Sequence, residues 1–349
     1  MAVAGRRFGW REVLLSLGVT SFFSVLLYIR LDVGAFTSSM GRVNYSLLAP
    51  VLALQALAWW VRSVRWRVLL SPVQATPASR LLPIVMIGAM VNNLIPARAG
   101  EFWRAHTLGR REGLSRSTAF GTIVVERVLD GMVLVLLAAL ALIAIGSSAS
   151  IVILIGSMAL LFAAGVGIVA ALAHSDRARR TTIRAAAAVI PSRYRGFAEE
   201  SLGLFMDGLR TLSEGRVFWS AITLTVVIWI IESASYWTLG VAFGLDVSPL
   251  SYLLVMAVAN LALAVPLSLG GIGPFEFFTQ QSLGLLGVAS SPALAFAISI
   301  HGLILGFVTL SGLLFVGWGG VSAARTRRLQ AQPAPASREF EPVEAMPRD

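Results

Sequence analysis

Hydrophobic residues run along this chain in blocks too continuous for an amphipathic helix or a half-buried strand. The long ones fall at about 13–31, 46–70, 118–146, 149–173, 217–243 and 291–318. An α-helix rises 1.5 Å per residue, so roughly 20 apolar residues cross the ~30 Å core of a bilayer. Two further blocks, at about 81–96 and 250–266, are shorter; a helix of some sixteen residues spans only about 24 Å. The pattern predicts an all-α polytopic membrane protein.

Charge adds a topology. Charged residues are 13% of the 349-residue chain against 56% hydrophobic, about half the charge of a soluble domain. All 28 basic residues are arginine, gathered at the ends of apolar blocks as the positive-inside rule expects. Arg6, Arg7 and Arg11 put the N-terminus in the cytoplasm, and the loop at 32–45, with Asp32 and Arg42 alone, outside. Arg62, Arg65, Arg67 and Arg80 then mark a return inside. Arg110, Arg111 and Arg116 also read as inside, although the block 81–96 intervenes. The simplest solution is a re-entrant hairpin, in along 81–96 and out along 100–113. The segments 250–266 and 274–288 form a second hairpin, entering from the outer face. The expectation is about six spanning helices plus two oppositely oriented re-entrant hairpins, an inverted repeat with both termini cytoplasmic, in a bacterial inner (plasma) membrane.

The membrane domain covers 1–320, with a first half at 1–146, an Arg-rich cytoplasmic connector at 175–216 and a second half at 217–320. The Pro/Ala-rich tail at 321–349 is expected to be disordered. The first block exceeds a signal-peptide core and lacks an Ala-x-Ala site, so it reads as a retained helix. A net charge of +10 does not imply nucleic acid, because the arginines mark helix ends instead of forming a patch. With no cysteine there is no disulfide or thiolate chemistry.

Candidate chemistry sits at the hairpin breaks. "VNNLIPARAGEFWRA" and "NLALAVPLSLGGIGPFEFF" follow one order: an Asn, a Pro, a Gly break, then an acid followed by aromatics. The candidates are Asn93, Pro96, Arg98, Gly100, Glu101 and Arg104 in the first, and Pro266, Gly270, Gly271, Gly273 and Glu276 in the second. Irregular backbone at membrane depth is tolerated only inside protein or against a wet cavity, and paired breaks in two halves mark the midplane site of inverted-repeat transporters. The return helices would aim their N-terminal dipoles at the space between hairpins, a seat for an anion such as phosphate, with Arg98 and Arg104 adding charged contacts. For Glu101 and Glu276 two readings stand: neutralisers of those helix ends, or binders of a cation or proton.

Elsewhere, Glu126, Arg127 and Asp130 in "TIVVERVLDG" share a helix with spacings that allow pairing. Two readings stand for this trio: intramembrane ionisable groups, which face bundle interiors, or groups still in the headgroup zone, since a helix of nearly 30 residues exceeds the bilayer core. Glu232 lies well inside its segment and reads as a cavity residue. "WWVRSVRWRVLL" reads as an interfacial anchor, with a vestibule for lipid phosphates as the alternative, and His301 as a hydrogen-bonded structural histidine. No catalytic residue, metal site or cofactor motif is apparent.

These three motifs, in this order and spacing, resemble the lysylphosphatidylglycerol synthase transmembrane family, a flippase-like domain also found as stand-alone proteins. The resemblance runs nearly to residue 320. It implies lipid translocation, with the motif residues as cavity residues. No soluble aminoacyltransferase domain follows in this chain, so lysyl-lipid as cargo is left open. Some relatives are linked to glycosylation with polyprenyl-phosphate lipids. The expectation is a flippase or scramblase-like lipid transporter. Its rivals are a membrane-embedded transferase and a non-catalytic partner of a glycosyltransferase or lipid synthase.

Because the chain has no native cysteine, single-Cys labelling reads this topology directly. Positions near 112 and 178 are expected to label from one face and positions 245–248 from the other. Labelling of 112 and 178 from opposite faces would make the first hairpin a spanning helix.

Overall fold

The computed structural model describes the backbone of residues 10–29, 32–95, 98–146, 214–263 and 268–330, with a few isolated positions between 156 and 206. Pro96, Pro266, the block at 149–173, most of the connector and the tail after Gln330 lie outside the described residues.

The described elements are helices and 3-10 turns. α1 is Trp10–Ile29, α2 Val33–Gly41, α3 Leu48–Leu70, α4 Ala78–Leu94, α5 Ala99–Glu112 and α6 Arg116–Ile145. After the connector come α7 Gly215–Ala242, α8 Ser251–Ala262, α9 Pro274–Leu285 and α10 Ser290–Gln330. Four are long and apolar enough to cross a membrane: α3 with its leading turn, α6, α7 and the part of α10 to Trp318. Among the described residues the six expected spans are thus four by length, with α1 the helix of the first block. The expected external loop at 32–45 contains α2, whose first turn Asp32 caps through the Ala35 N–H at 3.0 Å. α10 runs about ten residues past the expected domain end.

The helix ends follow from local chemistry. Ser115 accepts the Thr118 N–H to start α6, and Gly146, in the left-handed region at φ 74°, stops it. Gly113 at φ 71° ends α5. At the two hairpin breaks the solutions differ. In the second, Gly270, Gly271 and Gly273 all take positive φ, which glycine adopts without strain. In the first, the residue in that region is Arg98, at φ 52°. A non-glycine there costs of order 1 kcal/mol or more and is held by its surroundings.

Packing relates the two halves. α3 and α7 form the most extensive interface, and their side-chain bonds run antiparallel: Gln55 to Ser235 at 2.9 Å, Arg62 to Glu232 at 3.2 Å, Arg65 to Thr225 at 2.9 Å. α4 packs on α10 and α8 on α6; α5 packs on α6 and α9 on α10. Exchanging α3–α6 for α7–α10 maps each of these helix contacts onto another in the set. Burial matches: Trp66, Leu81, Val85, Leu108 and Ile123 form an apolar cluster in the first half, and Val133, Trp229, Tyr236, Phe275, Phe296 and Ile300 belong to a larger one toward the second. The outer faces stay apolar and exposed, with Leu140, Ile143, Leu310 and Leu314 all more than half exposed, as lipid contact requires.

The α4–α5 hairpin closes without room for a side chain at one point. A Cβ added at Gly100 would collide with the Gly88 carbonyl oxygen and lie 2.7 Å from Asn92 Oδ1, whereas one at Gly306 would meet nothing within 4 Å. Gly100→Ala is expected to destabilise the protein by about 1–3 kcal/mol, the usual cost of overpacking, and to lower its thermal midpoint in detergent. Gly306→Ala leaves that midpoint within about 0.5 kcal/mol of wild type. Equal midpoints for the two variants would mean the hairpin can open without cost.

Candidate functional site

A cavity of about 210 Å³ lies where the two hairpins meet α3, α6, α7 and α10. Its walls touch both apolar clusters, through Val85 on one side and Trp229 and Phe275 on the other. Its polar lining is dense for a membrane interior, and it is organised by arginine–carboxylate pairs.

The centre of the network is Arg65, fully buried on α3. Its guanidinium donates to both oxygens of Asp130, from Nη1 at 2.5 Å and Nη2 at 3.2 Å, and from Nη1 to Thr225 Oγ1 at 2.9 Å. It also lies 3.7 Å from Glu126. Arg104 on α5 donates to the other Glu126 oxygen at 2.8 Å and stacks 4.2 Å over the Trp66 ring. Arg127 reaches Asp130 at 3.3 Å and Glu101 at 3.8 Å. Arg98 donates to Glu101 at 3.2 Å and to the Leu263 carbonyl at 2.9 Å, tying the first break to the second hairpin. Arg62 bonds Glu232 at 3.2 Å between the rings of Trp59 and Trp229. Five arginines thus face Glu101, Glu126, Asp130, Glu232 and, near the second break, Glu276.

Removing charge from water costs several kcal/mol per ion, which close, well-directed pairing offsets. Arginine suits this, because its planar fork holds a carboxylate with two donors. The pairing observed for Asp130 is of that kind.

The sequence-derived candidates converge here. Asn93, Glu101, Arg104, Glu126, Arg127, Asp130, Glu232 and Gly270 line the cavity. Arg98, Gly100, Gly271 and Glu276 stand behind that lining: Arg98 holds Glu101, the Gly100 N–H is taken by Asn92 Oδ1 at 2.8 Å, a Cβ on Gly271 would approach His301, and Glu276 bonds His301. Gly273 donates to Glu276 at 2.7 Å. Pro96 and Pro266 lie outside the described residues.

Three features differ from expectation. The anchor reading of Arg62 and Arg65 is corrected, since both turn into the cavity; of that cluster Arg67 is exposed. Their spacing, 62 and 65, puts them on one helix face, which was the available signal; their partners Glu232 and Asp130 are 170 and 65 residues away in sequence. His301 is hydrogen-bonded, as expected, but it also forms part of the cavity wall. The helix starts are partly capped: Asn92 takes the Gly100 N–H at the first break, and Glu276 takes the Gly273 N–H at the second. The Nε atoms of Arg65, Arg104 and Arg127 and the indole nitrogens of Trp59 and Trp229 are buried without a hydrogen-bond partner, and all five residues line the cavity.

The family follows from the extent of the match. Residues 13–312 match the lysylphosphatidylglycerol synthase TM region. The chain belongs to that family. It is similar to glycosyltransferase AglD of Haloferax volcanii, 29% identical over 307 residues that make up 79% of this chain and 49% of AglD. The chain therefore spans about half the length of that relative. It is also similar to a UPF0104 membrane protein of Methanothermobacter thermautotrophicus, 27% identical over 86% of this chain and 92% of that protein. A further UPF0104 membrane protein, from Methanocaldococcus jannaschii, is 30% identical over 34% of this chain and 35% of its own length. No solved structure matches the chain. The chain is accordingly a multi-pass membrane protein of this family.

The ion-pair network makes a clear demand on stability. Truncating one partner of a buried pair leaves the other uncompensated, at about 3–5 kcal/mol. Arg65→Ala is expected to lose that much in detergent unfolding, while Arg67→Ala stays within about 0.5 kcal/mol. Replacing both partners, Arg65→Met with Asp130→Leu, is expected to recover part of the loss. A single variant as stable as wild type would show that Arg65 contributes no net pairing.

Proposed function

We propose that this protein is a flippase- or scramblase-like lipid transporter. In this reading a lipid's anionic headgroup, of phospholipid or polyprenyl-phosphate type, crosses through the cavity while its chains stay in the bilayer. The observation that carries it is the cavity lining itself, which includes Arg62, Arg65, Arg104 and Arg127 beside the indoles of Trp59 and Trp229. Four guanidinium-bearing residues around one cavity suit a ligand made of acceptor oxygens. A phosphate is that ligand, and arginine binds it through two donors at once.

Size and surroundings agree. At about 210 Å³ the cavity is below the roughly 300–1,000 Å³ of sites that enclose a drug-sized molecule, so it fits a headgroup and not a whole lipid. Exposed apolar side chains flank both breaks, Ile95 and Phe102 at the first and Ile272 and Phe278 at the second, where acyl or prenyl chains can ride. The corresponding helix contacts of the two halves support an inverted repeat with hairpins entering from opposite faces. Alternating access would then rock one half against the other around the Arg65 network. Both termini are placed in the cytoplasm on the arginine distribution.

The similarity to a glycosyltransferase, AglD, favours a second reading, in which the domain serves glycosyl transfer, as an enzyme or as the membrane partner of one. Glu101, Glu126, Asp130 and Glu232 are engaged by guanidinium groups, which leaves the His301–Glu276 pair as the candidate base for that chemistry.

Reconstitution into vesicles with fluorescent lipids separates the readings. Leaflet exchange is expected for phosphatidylglycerol and a polyprenyl phosphate, and slower exchange for zwitterionic phosphatidylcholine. Arg127→Gln removes a charged donor at the cavity and is expected to reduce anionic-lipid exchange about tenfold, the equivalent of ~1.4 kcal/mol. Glu101→Gln, which removes the carboxylate that Arg98 and Arg127 share, should also slow it. Exchange absent for every headgroup, or a new lipid product without exchange, would overturn the transport reading.

A further inference from the structure

We propose that His301 and Glu276 together bind one proton, and that this proton clamps the second hairpin to α10 and favours anion entry. The geometry rests on four contacts. His301 Nδ1 lies 2.5 Å from Glu276 Oε1, and His301 Nε2 lies 3.1 Å from the Gly270 carbonyl oxygen. Glu276 Oε2 accepts the Gly273 N–H at 2.7 Å. The Phe275 ring stacks on the imidazole at 4.1 Å. Both ring nitrogens therefore face oxygens that accept. A neutral imidazole has one N–H and one lone pair, so it can satisfy only one of them. An ionised carboxylate adds no proton. The arrangement is complete in two forms, imidazolium with carboxylate or imidazole with carboxylic acid, and each holds one proton more than neutral histidine beside ionised glutamate.

The site is isolated and buried. His301 is 2% exposed and Glu276 8%. Between 247 and 318 the sequence has no Asp, Lys or Arg, and its ionisable residues are Tyr252, Glu276 and His301. α2 and α8 bring no charge, and the one arginine of α4 is Arg80, at its start. α1 packs on α9 and carries Arg11 and Glu12 at its first turn. The charged groups facing the pair across the cavity are Arg62 and Arg65 on α3, Arg98 at the first break, and Glu101 and Arg104 on α5. Glu126, Arg127 and Asp130 on α6 and Glu232 on α7 complete them.

Two consequences follow. Loss of the proton leaves one N–H for two acceptors, so either the Gly270 or the Glu276 contact opens and the second hairpin keeps one of these two ties to α10. Counting Glu276, the five arginines and five carboxylates cancel; the added proton makes the cavity net positive. Proton and anion binding then reinforce each other, and the coupling is reciprocal by necessity. The proton site stands without any transport activity; its role as a co-ligand rests on the lipid-transport reading.

The test uses the full chain in detergent, with His106 and His174 replaced by Gln so that His301 is the one imidazole. At about pH 7 the ¹⁵N spectrum should show both ring nitrogens protonated, or the infrared spectrum a carboxylic-acid band that is lost in Glu276→Gln. A single-N–H imidazole with no acid band overturns the proposal, and this needs only the parent protein, whether or not the Gln variants fold. In vesicles, exchange of phosphatidylglycerol should depend on pH in the parent and not in His301→Gln; pH-independent exchange with the spectral signature intact overturns the coupling. The signature without exchange of any lipid keeps the proton site and removes the transport reading instead.

Discussion

The polar cavity of this protein is organised around Arg65 holding Asp130 and Glu126 inside an apolar bundle. A lone guanidinium or carboxylate there would carry an ionic desolvation penalty that nothing nearby repays. Together they fix α3 against α6 and, through Thr225, against α7. Arg104 and Arg127 extend the pairing to α5 and Glu101, and Arg98 extends it across the first break to the second hairpin. The network therefore sets where the helices meet, and the cavity is the space left between its members.

That space has an uneven chemistry. The five cavity arginines all precede α7 in sequence, so the first half supplies them. The second supplies Glu232, Asn260, the glycine-rich break, Glu276 and His301. A ligand in the cavity thus sees fixed positive donors on one side and a bendable backbone with a proton-bearing pair on the other. Arg98, the non-glycine residue at positive φ, sits where the two sides touch. Strain of that kind persists only where surrounding contacts hold it, and here its guanidinium is held by Glu101 and the Leu263 carbonyl.

The hairpins show how alike sequences reach one shape by different local means. Both have an Asn on the incoming arm and an acid after the break. At the first, Asn92 caps the new helix and Gly100 is needed for close approach to Gly88, not for its backbone freedom. At the second, three positive-φ glycines make the turn, and Glu276 caps the helix that Pro274 begins. Each cap takes one N–H at the start of its helix.

The sequence by itself determined the class and the positions of the long apolar helices among the described residues, because burial in lipid demands long apolar blocks and charge is tolerated only at their ends or in their interior. It also marked the two breaks and the acids at 101, 126, 130, 232 and 276, since a charge within an apolar run is costly unless the bundle interior receives it. The tertiary structure decided which charges are partners. Arg62 and Arg65 look like an interfacial anchor beside their tryptophans, and their shared helix face is the one local sign that separates them from Arg67; their partners are 170 and 65 residues distant. His301 is one polar residue on an apolar helix, and its meaning depends on Glu276 and the Gly270 carbonyl arriving from another hairpin. Ion pairing and hydrogen bonding act over about 3–4 Å in space without regard to distance along the chain, so only the folded helices bring these groups within reach.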